Sequence, residues 1–269
     1  PTVLKDQLSR DLFRLYQLIW KRFAASRMEN ARYETTSVKI GASDYIFTVA
    51  TSKLAFDGFM SVYAEADAEW ESMLSRIKVK GGTEKQRDMF YTTLYKSFLW
   101  PCLRSDCNGD YRDVRGQVVN NGHDYYTSPC FWDDHRDKLV LLGLISPEVT
   151  CDVMKSVTDM GEKRNGYMPT YFHGDHASTF VSGTWRRGIQ DFDLERAYRL
   201  ILKNATVPGP GGREHMGEYV TKGWISDKDT TGLPFYEEFK GGVHKVLEYS
   251  YDDYATAQVA KVLGDMPNY

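Results

Sequence analysis

The spacing of apolar residues divides the chain into a short stretch that changes period and a long stretch that is helical in pattern. Leu12, Leu15, Tyr16, Ile19 and Phe23 recur at helical spacing, which predicts an amphipathic helix over residues 9–28. Ser9 supplies a hydroxyl cap and Asp11 a carboxylate near the positive end of the helix dipole. After Tyr33 the period drops to two. Thr36, Val38 and Ile40 alternate, Gly41-Ala42-Ser43-Asp44 turns, and Tyr45, Phe47 and Val49 alternate again, which predicts a β-hairpin. The character changes near Ala64. Residues 66–77 place Trp70, Met73, Leu74 and Ile77 on one helical face, and Gly81-Gly82 breaks that helix. A second helix, from Glu84 to about Trp100, carries Phe90, Tyr91, Leu94 and Phe98.

Residues 105–127 read as loop, with Asn108-Gly109 and Asn121-Gly122 as turns. Ser128-Pro129 then opens a helix, a hydroxyl cap followed by proline at the first helical position. Another helix follows His176 through Trp185, and Asp191-Phe192-Asp193 starts one over residues 194–203. Residues 208–212 break the pattern, and Lys222-Gly223-Trp224-Ile225 falls in a long loop. The last helix spans residues 243–263 and ends at Gly264. Its Val246, Leu247, Tyr251, Tyr254, Ala257, Val259, Ala260, Val262 and Leu263 leave little polar surface, which predicts a largely buried helix.

Composition narrows this picture. A length of 269 residues allows two domains or one large one. Charge is uneven: residues 1–64 hold nine Lys/Arg against six Asp/Glu, while the remainder holds 25 against 31. The larger part therefore has no field that draws a polyanion. No apolar run approaches the ~18 residues of a membrane span. The opening Pro-Thr-Val leads to the expectation of a processed chain or a fragment. Cys102, Cys107, Cys130 and Cys151 lack paired zinc spacing; a Cys102–Cys107 bridge and four free thiols both stand. Asn204-Ala205-Thr206 is a glycosylation acceptor by pattern alone.

Candidate chemistry lies in four places. Asp106, Asn108 and Asp110 have a glycine in the fourth place rather than the sixth of a calcium loop, which favours a hairpin turn. Trp132, Asp133 and Arg136 share a helix start. Two readings stand: a sugar-hydroxyl site built from an indole, a carboxylate and a guanidinium, or an Asp133–Arg136 ion pair beside a core tryptophan. In His173-Gly174-Asp175-His176 the plainer account is a polar loop capping the next helix; a metal site lacks a third ligand. Glu248 and Asp252 share one face of the last helix, with Asp253 adjacent and only Lys245 as a nearby base. Carboxylates on a buried helix must be paired, hydrogen-bonded or raised in pKa, so they mark either a polar pocket or a structural network.

The blocks LSRDLFRLYQLIWKRFAASRM, TTSVKI, YIFTVA and KLAFDGFMSVY, within residues 1–63, resemble type IA DNA topoisomerases. That resemblance places the family's nucleophilic tyrosine and acidic metal-binding fold before Pro1, and it leaves Tyr16, Tyr33 and Tyr45 at packing positions. Lys21, Arg22 and Arg27 are expected on a solvated basic face in preference to a DNA contact. Residues 66–265 resemble family-92 glycoside hydrolases through RIKVKGGTEKQRDMFYTTLYKSFLWP, SDCNGDYRD, YYTSPCFWDDHRDKLVLL, GYMPTYFHGDHASTF, GGREHMGEYVTKGWI and VHKVLEYSYDDYATAQVAKVLGD.

The second resemblance implies a mainly α fold: a partial (α/α)6 toroid over residues 83–269, a linker helix over 65–82, and the helix-plus-hairpin segment over 1–64. It implies an inverting, calcium-dependent exo-α-mannosidase acting on mannose-containing glycans, in a secreted, periplasmic or cell-surface setting. Trp132, Asp133 and Arg136 are expected in the terminal-mannose subsite, with Asp175, His176, Glu248 and Asp252 near the same cavity. The family's acid block, base block and most of its calcium shell are expected after Tyr269. No catalytic or metal residue is therefore assigned, and the chain alone is expected to be inactive. Two alternatives are a topoisomerase-related DNA-binding fragment, with nucleic acid meeting residues 1–63 only, and an artificial composite without a single function.

Overall fold

The computed structural model describes residues 19–20, 27–28, 32–42, 45–56, 64–170, 173–226 and 242–269. Most of the helix expected over residues 9–28, with Lys21 and Arg22, lies outside the described residues, as does the stretch 57–63 before the change of character. Internal packing divides the chain into two units, Pro1–Val79 and Lys80–Tyr269.

In the first unit β1 (Arg32–Ala42) and β2 (Tyr45–Phe56) form the expected antiparallel hairpin, with Ala42 opposite Tyr45 and Thr36 opposite Thr51. The second strand runs past Val49 because its extension pairs residue for residue with the start of the first, down to a bulge at Arg32/Tyr33. Helix α1 (Ala64–Leu74) follows, with Trp70, Met73 and Leu74 half-buried on one side.

The second unit opens on α2 (Glu84–Ser97). Thr83 and Gln86 close a reciprocal capping box there: the Thr83 amide donates to Gln86 Oε1 at 2.8 Å, and the Gln86 amide donates to Thr83 Oγ1 at 3.3 Å. The Asp106–Asp110 segment is a turn, closed by the Asp106 amide on the Asp110 carbonyl at 2.7 Å, with Gly109 at φ +83°. Beyond it β3 (Tyr111–Arg112) pairs with β4 (Val118–Val119). Tyr111 stacks flat on Tyr125, ring centroids 3.7 Å apart, against Met160.

The helices that build the core come next: α3 (Phe131–Asp134), α4 (Lys138–Ile145), α5 (Pro147–Lys163), α6 (Ala177–Arg186), α7 (Leu194–Thr206), α8 (Met216–Lys222) and α9 (Gly242–Leu263). Val153, Met154 and Val157 of α5 meet Phe180 and Val181 of α6, Ala197, Leu200 and Ile201 of α7, and Val259 and Ala260 of α9. Burying each such valine or isoleucine contributes about 1.5–3 kcal/mol. Helix α6 packs on α4, α7 and α9, and α7 also meets α5 and α8. Asp193 caps α7 as its sequence implies, accepting from the Arg196 amide at 3.0 Å.

Several expectations change. The helix expected at Ser128-Pro129 begins at Phe131, because Ser128 Oγ donates to the Pro129 carbonyl and so does not cap the amides ahead. The sequence reading assigns no helix to residues 147–163, yet Val149, Val153, Val157 and Met160 recur at helical spacing along α5, whose buried face also takes Thr150, Ser156, Thr158 and Gly161. Helix α8 occupies part of the stretch read as loop. Helix α9 is not largely buried. Val243, Leu247, Tyr251, Tyr254 and Val262 stand exposed, Leu247 by 67%, because only the face carrying Tyr249, Asp252, Thr256 and Val259 packs on neighbours.

All four cysteines are free thiols. Asn204 is fully buried and donates to the Met168 carbonyl at 3.0 Å, so the folded chain does not present it for glycosylation. No helix among the described residues is long and apolar enough to cross a membrane.

Gly161 is the contact point of α5 with its neighbours. A Cβ there would lie 2.8 Å from both Leu200 Cδ1 and the Tyr167 carbonyl oxygen. Gly161→Ala is expected to destabilise the second unit by about 1–3 kcal/mol through overpacking. A lowered urea midpoint with an unchanged slope is the expected reading; an unchanged midpoint contradicts the packing account.

Candidate functional site

The site grows from one loop and one helix. The loop ahead of α6 ends in Gly174-Asp175-His176, and α9 presents Glu248 and Asp252 one turn apart. Asp252 is fully buried and both its oxygens are taken: Oδ2 accepts the Asp175 amide at 2.6 Å and Oδ1 faces His176 Nδ1 at 2.7 Å. His176 Nε2 faces Glu248 Oε2 at 3.1 Å. Glu248 Oε1 accepts from the Trp132 indole nitrogen at 3.1 Å, which ties the short α3 to α9. Gly174 makes the approach feasible. It sits at φ +71°, and a Cβ on it would lie 2.8 Å from Asp252 Oδ2.

A second tier supports this chain of contacts. Arg213, whose side chain is wholly buried, reaches Asp175 Oδ2 at 3.3 Å and Asp253 Oδ1 at 2.5 Å. Tyr219 donates to Asp253 Oδ2 at 2.9 Å. The Arg213 guanidinium also lies over the Tyr249 ring, 5.1 Å from its centre. His135 stacks on His176 with ring centroids 4.3 Å apart, held through Nδ1 against the Phe131 carbonyl at 2.9 Å.

Of the seven residues singled out from sequence, Trp132, Asp175, His176, Glu248 and Asp252 come together in this network. Asp133 and Arg136 do not join it. Both are exposed, and Asp133 pairs with the Cys130 thiol, Sγ to Oδ2 2.7 Å, rather than with Arg136. Asp133 faces a separate cleft of about 590 Å³ lined by Trp100, Ser128, Cys130, Arg164 and Thr170. A second cleft, of about 580 Å³, lies among His123, Lys155, Asp159, Lys163 and Arg196. Among the described residues no group of three or more His, Cys, Asp or Glu side chains could hold a metal ion.

Comparison with known proteins decides the family. Residues 49–269 match the model of the glycosyl hydrolase family 92 catalytic domain. The chain belongs to glycosyl hydrolase family 92. The fold of this family-92 chain is similar to that of a family GH92 α-mannosidase from Bacteroides thetaiotaomicron, with a TM-score of 0.67 and 27% identity over 78% of this chain and 28% of that one. It is also similar in fold to a family GH92 inverting mannosidase from Bacteroides thetaiotaomicron VPI-5482, with a TM-score of 0.63 and 22% identity over 88% of this chain and 39% of that one. The chain thus spans well under half the length of these relatives. Residues 1–90 match a DNA topoisomerase model. There the chain is 38% identical over 84 residues to DNA topoisomerase 1 of Rickettsia bellii, covering 29% of this chain and 10% of that protein.

Within the family-92 part, sequence reasoning missed Arg213 and His135, and it named Asp253 only as the neighbour of Asp252. Arg213 had one available signal. Glu248, Asp252 and Asp253 on a packed helix, with Lys245 alone beside them, demand a buried cation from elsewhere. Lys245 is engaged with Glu214 at 2.8 Å.

Burial pushes the Asp175 carboxyl up to about 8, with the Asp252 carboxylate adding to the shift and Arg213 opposing it. The guanidinium offsets only part of the burial cost because its shorter bond goes to Asp253. Burial lowers His135 and His173. A folded-state carboxyl raised above its unfolded value contributes stability that is present in acid and lost as pH rises through the folded value. The two histidines act in the opposite sense, but only below the ordinary histidine value of about 6.5. Between pH 6.5 and 8.5 the Asp175 contribution is therefore expected to lower the thermal midpoint as pH rises, and Asp175→Asn to flatten that slope. A slope unchanged by the substitution contradicts the assignment.

Proposed function

We propose that residues 80–269 form part of the mannoside-binding wall of an exo-α-mannosidase domain. The observation that carries this reading is the Trp132–Glu248–His176–Asp252 network, which welds the α3 turn bearing Asp133 to α9 inside a family-92 fold. The mannosidase neighbours support the substrate class. Asp133 and Trp100 at the open cleft supply a carboxylate for sugar hydroxyls and an indole for an apolar ring face. Trp132, Asp175, His176, Glu248 and Asp252 hold that wall in place from behind, and Arg136 stands exposed.

The proposed chemistry of the whole protein is inversion at the anomeric carbon. One carboxylic acid protonates the leaving oxygen while a second carboxylate activates water across the ring. The described carboxylates of the network are not free for either task. Asp252 has both oxygens engaged, Glu248 faces Trp132 and His176, and Asp175 is buried away from solvent with Oδ2 against Arg213. The chain alone is therefore proposed to be inactive as a hydrolase. Calcium dependence is proposed for the whole protein from the family resemblance; among the described residues no group of three or more His, Cys, Asp or Glu side chains could hold a metal ion. The ring of helices is likewise a proposal. The exposed stripe of Val243, Leu247, Tyr251 and Tyr254 is the kind of face that another helix of a toroid covers. A setting outside the cytoplasm goes with the glycosidase reading.

A second reading applies to the first unit, where the topoisomerase match is specific. We propose that residues 1–63, with a modest positive balance, contact nucleic acid through its phosphates while the acidic remainder does not.

Incubated with an aryl α-mannoside and calcium, the 269-residue chain is expected to release no mannose above a buffer control; robust release contradicts the inactivity. In a mobility-shift assay, DNA is expected to be retarded at low salt and released by 200 mM salt. Absence of any shift at low salt removes the nucleic-acid reading.

A further inference from the structure

The Cys130 thiol sits where no helix cap requires it. It occupies the residue before α3 and makes no side-chain bond to the helix amides. Its hydrogen-bond partner is Asp133 Oδ2 at 2.7 Å, while the Asp133 amide donates back to the Cys130 carbonyl at 3.1 Å. Both side chains line the cleft of about 590 Å³ with Trp100, Arg164 and Thr170. The carboxylate is otherwise exposed, and an exposed aspartate at the start of a four-residue helix samples several rotamers. The thiol removes that freedom: it holds one carboxylate oxygen and leaves Oδ1 available to the cleft.

We propose that Cys130 is a positioning residue that fixes Asp133 for binding a neutral hexose in this cleft. The inference rests on the mannoside-binding reading above and assigns the residue that orients its carboxylate. A thiol can play this part only while it keeps its proton. Burial, reinforced by the bond to Asp133, pushes Cys130 up to about 11, so at neutral pH it donates and is a poor nucleophile. The sugar meets a carboxylate whose Oδ2 is already satisfied, which leaves Oδ1 to accept from ring hydroxyls. Serine keeps a donor at this position and alanine removes it. An alanine variant therefore separates the donor's role from the volume of the side chain, with serine as the rescue.

Two measurements on the full 269-residue chain test the assignment. In NMR titration with methyl α-mannoside, Cys130→Ser is expected to bind within about twofold of the unaltered chain, and Cys130→Ala about tenfold more weakly. Equal binding by the alanine variant overturns the positioning role while leaving the mannoside reading intact. Absence of saturable binding by the unaltered chain sinks the mannoside reading, and the proposed role with it. Thiolate absorbance, taken as the difference between the unaltered chain and Cys130→Ala, reports the contact without any sugar. Ionisation well above the ordinary cysteine value, lowered by Asp133→Asn, supports the bond; an ordinary value indifferent to Asp133→Asn overturns it.

Discussion

The architecture of the second unit depends on one buried carboxylate. Asp252 lies on the packed face of α9 with no exposure, and its two oxygens take the Asp175 amide and the His176 ring. An unpaired charge there costs several kcal/mol, so this position tolerates aspartate only while both partners are present. That requirement pulls the α6 loop onto α9, and glycine at position 174 follows because a Cβ would strike the same carboxylate. His176 passes the constraint to Glu248, and Glu248 passes it to Trp132 on α3. Three segments far apart in sequence are thereby joined by polar contacts, the Asp252 and Trp132 links being hydrogen bonds and the His176–Glu248 link a 3.1 Å approach.

The same wiring separates the acids that build the site from the acid that faces a ligand. Asp252 and Asp253 spend both oxygens on protein partners, Glu248 Oε1 and Asp175 Oδ2 take one each, and Arg213 reaches Asp175 and Asp253 from a wholly buried position. Asp133 alone of the residues singled out from sequence turns a carboxylate toward an open cleft. A family-92 chain with this distribution reads as a scaffold that orients a sugar. The chemistry of bond cleavage needs carboxylates that can change protonation against the substrate.

Much of this was legible residue by residue, and the gaps have physical causes. The β-hairpin followed from the alternation of Thr36, Val38 and Ile40, and α7 from the Asp193 cap. The i, i+4 pair of Glu248 and Asp252 announced a polar network because a charge on a packed helix needs partners. Helix α5 was legible in the recurrence of Val149, Val153, Val157 and Met160 and went unread, while the burial of Thr150, Ser156, Thr158 and Gly161 beside them carried no apolar signal. The exposed stripe of α9 escaped because apolar residues surround that helix, and periodicity cannot say which of them finds a neighbour. Trp132 and Asp133 were read as parts of one site, yet adjacent helical positions diverge by about 100°. One accordingly faces Glu248 and the other the cleft.

The central claim is that Asp252 clamps the loop ahead of α6 onto α9, and amide hydrogen exchange at Asp175 reads that clamp directly. The account predicts that this amide, buried and 2.6 Å from Asp252 Oδ2, exchanges only as slowly as the core amides of α6, and that Asp252→Asn accelerates it by orders of magnitude. Exchange at the pace of an open loop in the unaltered chain would contradict it.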